Sequence, residues 1–326
     1  MDYDVYAAAL LAFGLVGLGY VTKIVWGVSR MIAGILLPGI PLSKFGAKKG
    51  GWAVITGSTA GIGLEFSKQL ARKGFNVLLV SRDASKLAKV AGEIEETNGT
   101  AIKVKTHAID FAKASAEDYA ALKAEFDELN TQIGVLVNNV GQSHSHPDFF
   151  VDMDMDEIES IMEINIASVV RVTKMIAPFM IARKNGLVLN LGSFAHYVPT
   201  ALLSVYAGSK GFLSTFTQAI GSELEDHGVT VRLVNAYFIT TTLSKFKRPS
   251  WLIPTPKHYV AAVLARIGSS VGAVGSQPYT CTPYTSHAIV QWLVDHVGTW
   301  GFWINMTKEE GTEDLEEEEC GQEGLD

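Results

Sequence analysis

The sequence predicts an α/β domain built on a Rossmann-like, doubly wound parallel sheet with helices on both faces. Three observations predict it. From residue 50 to about 240, short apolar runs alternate strictly with helix-like stretches, the pattern of successive βαβ units. Runs such as Val77–Val80 and Val135–Val137 are apolar throughout rather than alternating, as strands covered on both faces must be. The first run ends in a glycine-rich turn that opens directly into a helix-like stretch, where such sheets bind dinucleotides.

In order, the strands are W-A-V-I-T (52–56), N-V-L-L-V-S (76–81), A-I-K-V-K-T-H-A-I-D (101–110), I-G-V-L-V-N (133–138), G-L-V-L-N-L-G-S (186–193) and V-T-V-R-L-V-N (229–235). Between them, helices are expected from Gly61, over Ala84–Thr97, around Ala116–Leu129, over the long stretch Asp154–Ala182 and over Ser204–Glu225. Four regions follow: a membrane anchor with an interfacial segment (1–45), a cofactor-binding catalytic domain (50–245), a substrate cover continuing that domain (246–305) and a disordered acidic tail (308–326). No repeat and no linker interrupts residues 50–240.

Val5–Thr22 is eighteen residues without a charge, just long enough as a helix to span a hydrocarbon core. A cleaved signal would want a basic start and a small-residue cleavage site, whereas Asp2 and Asp4 precede this run. Lys23, Arg30, Lys44, Lys48 and Lys49 follow it, which sets the catalytic domain on the cytoplasmic side. A second apolar run, Ile24–Leu42, is interrupted by Arg30, Pro38 and Pro41 and reads as interfacial rather than as a second span. Ten of the 34 acids lie from Glu309 onward; 27 basic residues against the remaining 24 acids leave the first 308 residues near +3. The acidic end cannot bury a core. Two cysteines, Cys281 and Cys320, imply no disulfide framework. No basic helix, RNA-binding motif or zinc-ligand spacing points to nucleic acid or to a metal.

In T-G-S-T-A-G-I-G, Gly57, Gly61 and Gly63 permit a tight turn and close approach to a pyrophosphate, and Ser58, Thr59 and Ile62 share the turn. The second strand ends in Ser81-Arg82. With serine where a ribose-binding carboxylate would sit, and arginine beside it to pair with a 2′-phosphate, NADP is favoured over NAD. Arg82 as a solvated helix-start residue is the alternative.

The chain carries two Y-x-x-x-K spacings, Tyr119/Lys123 and Tyr206/Lys210. Positions four apart share a helix face, so the spacing alone selects neither. Tyr206 follows a strand ending at Ser193, which puts Ser193, Tyr206 and Lys210 at one carboxyl edge with the N-N-V-G loop (138–141). No serine-bearing strand end precedes Tyr119 at the right place, so it reads as a helix residue packing or capping a surface, with Lys123 solvated. Asn165 stands mid-helix, where asparagine is a poor helix former. It marks either a local helix distortion or a held water.

T-G-x-x-x-G-I-G, N-N-V-G, a helical Asn, Ser and Y-x-x-x-K in this order resemble the short-chain dehydrogenase/reductase family over about residues 50–245. The anchor, V-S-R, N-N-V-G-Q-S-H, A-Y-F-I-T-T (236–241) and R-P-S-W-L-I-P-T-P-K (248–257) are similar to the fungal very-long-chain 3-oxoacyl-CoA reductases, relatives of the type 12 17β-hydroxysteroid dehydrogenases. Ala236-Tyr237 replaces the Pro-Gly of most of the broad family. The resemblance implies NADPH-dependent reduction of a long 3-oxoacyl-CoA in microsomal fatty-acid elongation, at the endoplasmic reticulum membrane, with membrane lipid and other elongation enzymes as partners. A steroid or other lipid ketone reductase is the alternative, and a non-enzymatic membrane scaffold a third reading.

In that chemistry Tyr206 gives the proton. Lys210, about 6 Å away at an effective dielectric of about 20, lowers the phenol pKa by about two units. The Ser193 hydroxyl binds the carbonyl oxygen, and Asn165 holds a water that reconnects Lys210 to solvent. By resemblance, Lys210 also holds the nicotinamide ribose, Asn138 and Asp110 serve as backbone and adenine-side cofactor contacts, and Ile239 and Thr241 meet the carboxamide. Q-S-H-S-H-P places His144 and His146 at the same edge, either as loop residues or against a CoA phosphate or thioester. His196 reads as a loop residue. Leu243–Val297 is expected to form the cover, with an apolar helix from about His287 leaning on the membrane.

Overall fold

The computed structural model describes residues 3–244, 246–269 and 277–296, together with 301, 302, 304, 305 and 308. The acidic tail from 309 onward falls outside the described residues.

Seven parallel strands form one sheet: β1 (Trp52–Thr56), β2 (Asn76–Ser81), β3 (Val104–Ala108), β4 (Ile133–Asn138), β5 (Gly186–Leu191), β6 (Val229–Val234) and β7 (Thr280–Cys281), in spatial order β3-β2-β1-β4-β5-β6-β7. The winding reverses between β1 and β4, so the loops after these two strands diverge and leave a crevice at the carboxyl edge. The fully apolar strands serve two cores at once. Ala53, Ile55, Val77 and Leu79 face one cluster, while their neighbours Trp52, Val54, Leu78 and Val80 face the other. The first cluster is closed by α2 (Gly61–Arg72), α3 (Ala84–Asn98) and α8 (Pro256–Ala265). The second is closed by α4 (Ala116–Leu129), α6 (Ser168–Arg183) and the end of α7 (Ser204–Glu225).

Caps set several of these boundaries. Ser115 and Asp118 form a reciprocal capping box on α4, and Asp83 caps α3 through the Lys86 N–H. Before α6 the chain runs through α5 (Met155–Met162) and a π-turn over Glu163–Ala167. The turn falls on Asn165 and is the local distortion that residue's position suggested.

The segment after 245 divides. Thr255 caps α8 with Pro256 at its first position, and the helix packs on α2 as part of the core. There the Tyr259 hydroxyl donates to the Asn235 carbonyl at 2.8 Å. β7 extends the sheet beside β6, and among the described residues α9 (Thr285–His296) and the loops near 237–254 lie outside the strands and helices already named. His287 joins these pieces: the Tyr237 N–H donates to its Nδ1 (3.3 Å), while Nε2 lies 3.0 Å from the Leu252 carbonyl.

The two apolar N-terminal runs are not separate elements. A single helix, α1 (Tyr3–Leu36), carries the first run and most of the second, because neither Lys23 nor Arg30 breaks a helix and the first proline is Pro38. Thirty-four residues make about 51 Å of helix, well beyond a hydrocarbon core of about 30 Å. The division appears in burial instead. Residues 5–23 are exposed without interruption, whereas from Ile24 onward the helix begins to pack against the protein and Gly27 is buried. The junction is fastened by Gly39 N–H to Ala265 O (2.9 Å), Ile40 N–H to Ile267 O (2.7 Å) and Arg266 Nε to Ile35 O (3.2 Å). Arg266 thereby satisfies a last-turn carbonyl of α1. Met155–Arg183 is also long and apolar enough to span a membrane, but it lies within the catalytic domain and nearly half of its most apolar stretch is buried.

Candidate active site

The glycine turn is a cradle that side chains would fill. Gly57 and Gly61 have φ of +66° and +53°. A Cβ on Gly63 would stand 2.1 Å from the Gly57 carbonyl oxygen and 2.4 Å from Asn139 Nδ2. Ala60, at the N-cap of α2, offers no side-chain acceptor, so first-turn N–H groups of that helix remain for an anion. The donor set therefore suits the pyrophosphate of a dinucleotide.

Around the turn, Thr56 Oγ1 accepts from the N–H groups of Asn139 (3.0 Å) and Val140 (3.1 Å), and Asn139 Nδ2 donates to the carbonyls of Thr56 (3.0 Å) and Gly57 (3.2 Å). The side chain of Asn138, expected to be a backbone cofactor contact, bonds Thr173 and Asn190 on the α6 side of the sheet, and Asn139 holds the turn. Ser58 is buried against the Val80 carbonyl, and Ile62 packs on the core. The Thr59 and Ser81 hydroxyls lie 2.9 Å apart, which ties the turn to the end of β2.

Arg82 is exposed at that end. Asp83 is not a free ribose acceptor: its carboxylate takes the Lys86 N–H (3.0 Å) and the Ser85 hydroxyl (2.7 Å), which hold its pKa down to about 2. Asp110, two residues past the end of β3, is exposed and accepts from the Ala112 N–H at 3.2 Å. From the far side, Ile239 is buried and the Thr241 methyl lies 3.4 Å from where a Gly61 Cβ would be. The Ser244 hydroxyl donates to the Ile239 carbonyl and fixes this loop.

Ser193, Tyr206 and Lys210 meet at the carboxyl end of β5. Lys210 is 6% exposed; its ammonium donates to the Leu191 carbonyl (3.0 Å) and lies 5.7 Å from the centre of the Tyr206 ring. Burial pulls the Lys210 pKa down to about 8. Burial also pushes the Tyr206 phenol upward, opposed by a hydrogen bond from Ser193. The lowered phenol pKa expected from Lys210 is thus not what the protein alone shows: the ammonium is itself desolvated and turned to a main-chain carbonyl. A phenol kept protonated remains suited to giving a proton. Ser193 also accepts from the Ala195 N–H at 3.2 Å, and His196 Nδ1 contacts the Ser193 carbonyl.

Asn165 is buried, and its amide is committed to protein groups. Oδ1 accepts from the Gln142 N–H (2.8 Å); Nδ2 donates to the Gln142 carbonyl (2.9 Å) and to Ser209 Oγ (2.9 Å). This side chain fastens the loop after β4 to α7. The other Y-x-x-x-K pair stands apart. Tyr119 is buried on α4 beneath the Arg171 guanidinium, 4.7 Å from its ring centre, and Lys123 is exposed but paired with Asp127 at 2.6 Å.

Residues 51–250 match the family model described as short chain dehydrogenase. The chain belongs to that family. It is an oxidoreductase that binds a nicotinamide dinucleotide. It is 50% identical over 284 residues to a very-long-chain 3-oxoacyl-CoA reductase of Mycosarcoma maydis, an alignment covering 85% of this chain and 80% of that protein. Among solved structures, a short-chain dehydrogenase from Sphingobium yanoikuyae in complex with NADPH aligns with a TM-score of 0.59 and 25% identity over 66% of this chain and 83% of that one. The 3-ketoacyl-(acyl-carrier-protein) reductase of Brucella melitensis, complexed with NADH, aligns with a TM-score of 0.61 and 26% identity over 73% of this chain and 98% of that one.

Within this short-chain dehydrogenase, sequence reading missed Asn139, Ser209 and the clamp made by His287. The N-N doublet was a usable signal for the first, since neighbouring side chains at a strand end point to opposite faces. Ser209, buried inside Y-A-G-S-K, carried no such sign.

Proposed function

We propose that this protein reduces the 3-keto group of a long-chain 3-oxoacyl-CoA to the 3-hydroxy group, using NADPH, at the endoplasmic reticulum membrane in fatty-acid elongation. The observation that carries this reading is the grouping of Ser193, Tyr206 and Lys210 beside the glycine cradle, in a chain 50% identical to a reductase named for that substrate. The Gly57–Gly63 turn would hold NADPH, which when bound would supply the hydride for the ketone carbon. The Tyr206 phenol gives its proton to the ketone oxygen, and the Ser193 hydroxyl hydrogen-bonds that oxygen as negative charge gathers on it. Lys210 then faces the phenolate left behind; an ammonium about 6 Å away at an effective dielectric of about 20 is worth roughly 3 kcal/mol.

Purified full-length protein is expected to oxidise NADPH with a long 3-oxoacyl-CoA. Turnover confined to steroid ketones would reverse the substrate assignment. In the same assay Arg82→Ala should raise the KM for NADPH at least about tenfold and leave that for NADH nearly unchanged, because loss of a charge-assisted bond costs about 1.5–3 kcal/mol. Exposure of Arg82 and the engagement of Asp83 in capping support this preference. Equal effects on both cofactors would assign Arg82 to structure alone.

The uninterrupted exposure of the uncharged run 5–22 supports a single span, with the basic residues after it holding the catalytic domain in the cytoplasm, where acyl-CoA and NADPH are within reach. Protease added to sealed microsomes should remove the catalytic domain without detergent; protection until detergent is added would refute the orientation.

A further inference from the structure

The helix that carries the catalytic pair starts without a cap of its own. Leu203 stands at the N-cap of α7 and has no side-chain acceptor for the first-turn N–H groups. One of those groups belongs to Tyr206, the third residue of the helix. Its N–H donates to His144 Nε2 at 3.3 Å, from a residue 62 positions earlier in the loop after β4. His144 is 7% exposed. With Nε2 accepting, the imidazole carries its proton on Nδ1, which makes no hydrogen bond.

The Tyr206 carbonyl is held as well. The Ser209 hydroxyl donates to it at 2.7 Å, and Ser209 Oγ accepts from Asn165. The loop that presents His144 is itself fixed by α5 and the π-turn. Ser160 donates to Gln142 Oε1 (2.9 Å), Glu157 Oε1 accepts from the Ser145 N–H (2.8 Å), and Asn165 bonds the Gln142 main chain twice. Both polar groups of the Tyr206 main chain are therefore gripped by one network.

We infer that His144 is a positioning residue for the reductase: a cap supplied from another loop that sets the catalytic tyrosine, and that releases it when the imidazole gains a second proton. Protonation removes the acceptor and sets a cation against a helix N-terminus, where positive charge is disfavoured. The charged and titratable groups facing His144 are Glu157 from α5, Asp148 and His146 from its own loop, and Tyr206 from α7. Burial outweighs the two carboxylates and keeps the imidazole neutral below its ordinary pKa. The cap is therefore present at neutral pH and lost as pH falls through that lowered value.

The inference rests on Tyr206 acting as the proton donor, and its test uses the full chain in detergent with a long 3-oxoacyl-CoA. His144→Gln keeps an acceptor near the Nε2 position and does not titrate; His144→Leu has neither property. His144→Leu should lose about 10- to 100-fold in kcat, as misplaced reacting groups do, with NADPH affinity, read by its fluorescence, within about twofold of wild type. His144→Gln should recover most of kcat and lose the acid limb of the wild-type pH profile. Full activity in His144→Leu, or an acid limb that persists in His144→Gln, would overturn the inference. Should His144→Leu fail to bind NADPH, His144→Gln decides by its acid limb. If wild type does not reduce the acyl-CoA, the proposed function fails instead. The cap is then read without substrate from histidine 15N shifts, where an Nε2–H tautomer at His144 would refute it and an Nδ1–H tautomer titrating below 6.5 supports it.

Discussion

Replacing Tyr206 by Phe is expected to lower kcat by about a thousandfold, within the range assigned to a positioned general acid, and to leave NADPH binding nearly unchanged. The substitution removes one hydroxyl and keeps the ring in place above the Lys210 ammonium. Ser193 can still bind the ketone oxygen, but the phenol proton is gone. Tyr119→Phe is the matched control. Its hydroxyl is buried without a hydrogen-bond partner, so its removal should change neither rate nor stability by much. The pH profile gives a second reading of the same site. With burial holding Lys210 at about 8, its charge leaves as pH rises past that value, so the wild-type rate should fall on the alkaline side. Single-turnover measurements with and without Tyr206 check the first expectation. A Phe variant retaining a tenth of the wild-type rate would remove Tyr206 from its role.

Most of the frame was legible because local signals agreed with each other. α4 and α7 begin and end where sequence reading set them, and β1, β2 and β4 coincide with the expected runs. Apolar runs, capping residues and the glycine turn each act within a few residues, so the sequence displays them directly. α8 was missed although Thr255-Pro256 is a helix-start signal, because the prolines around it read as loop. β7, two residues long, is too short to show any period. The continuity of α1 was hidden by giving weight to charges that interrupt hydropathy without interrupting a helix.

The site separated along the same line. Gly57, Gly63, Ser193, Tyr206 and Lys210 lie in short motifs, so the sequence alone was enough to propose them. Contacts across long separations were not legible in it: Asn139 reaches back 82 positions to Gly57, and His144 forward 62 to Tyr206. The direction of the Tyr206 shift was misjudged for a related reason. Its cause is burial, which depends on what the folded chain places over the ring, and Y-x-x-x-K carries no record of that.

Gly63→Ala should cost more stability than any other single methyl added to the glycine turn. The new Cβ would meet the Gly57 carbonyl oxygen at 2.1 Å and Asn139 Nδ2 at 2.4 Å, both far inside any contact a carbon tolerates. Neither neighbour is free to retreat. Gly57 is held at φ +66° in the turn, and Asn139 Nδ2 is bonded to two successive carbonyls, Thr56 and Gly57. The methyl can enter only if α2 slides away from β1 or the turn opens, and either displaces the first-turn N–H groups intended for the pyrophosphate. Overpacking of this kind costs about 1–3 kcal/mol, occasionally more. For a domain of this size that lowers Tm by about 2–12 °C, since each kcal/mol is worth about 2–4 °C. NADPH affinity should fall as well, by about thirtyfold or more, because a one-ångström displacement of charge-assisted donors forfeits about 2 kcal/mol. Gly92→Ala sets the scale: it lies inside α3 with open space where the methyl would go, and should stabilise by about 0.5–1 kcal/mol. Thermal unfolding with and without NADPH separates the two effects. A Gly63→Ala protein with wild-type affinity for NADPH would mean that the cofactor does not lie over this turn.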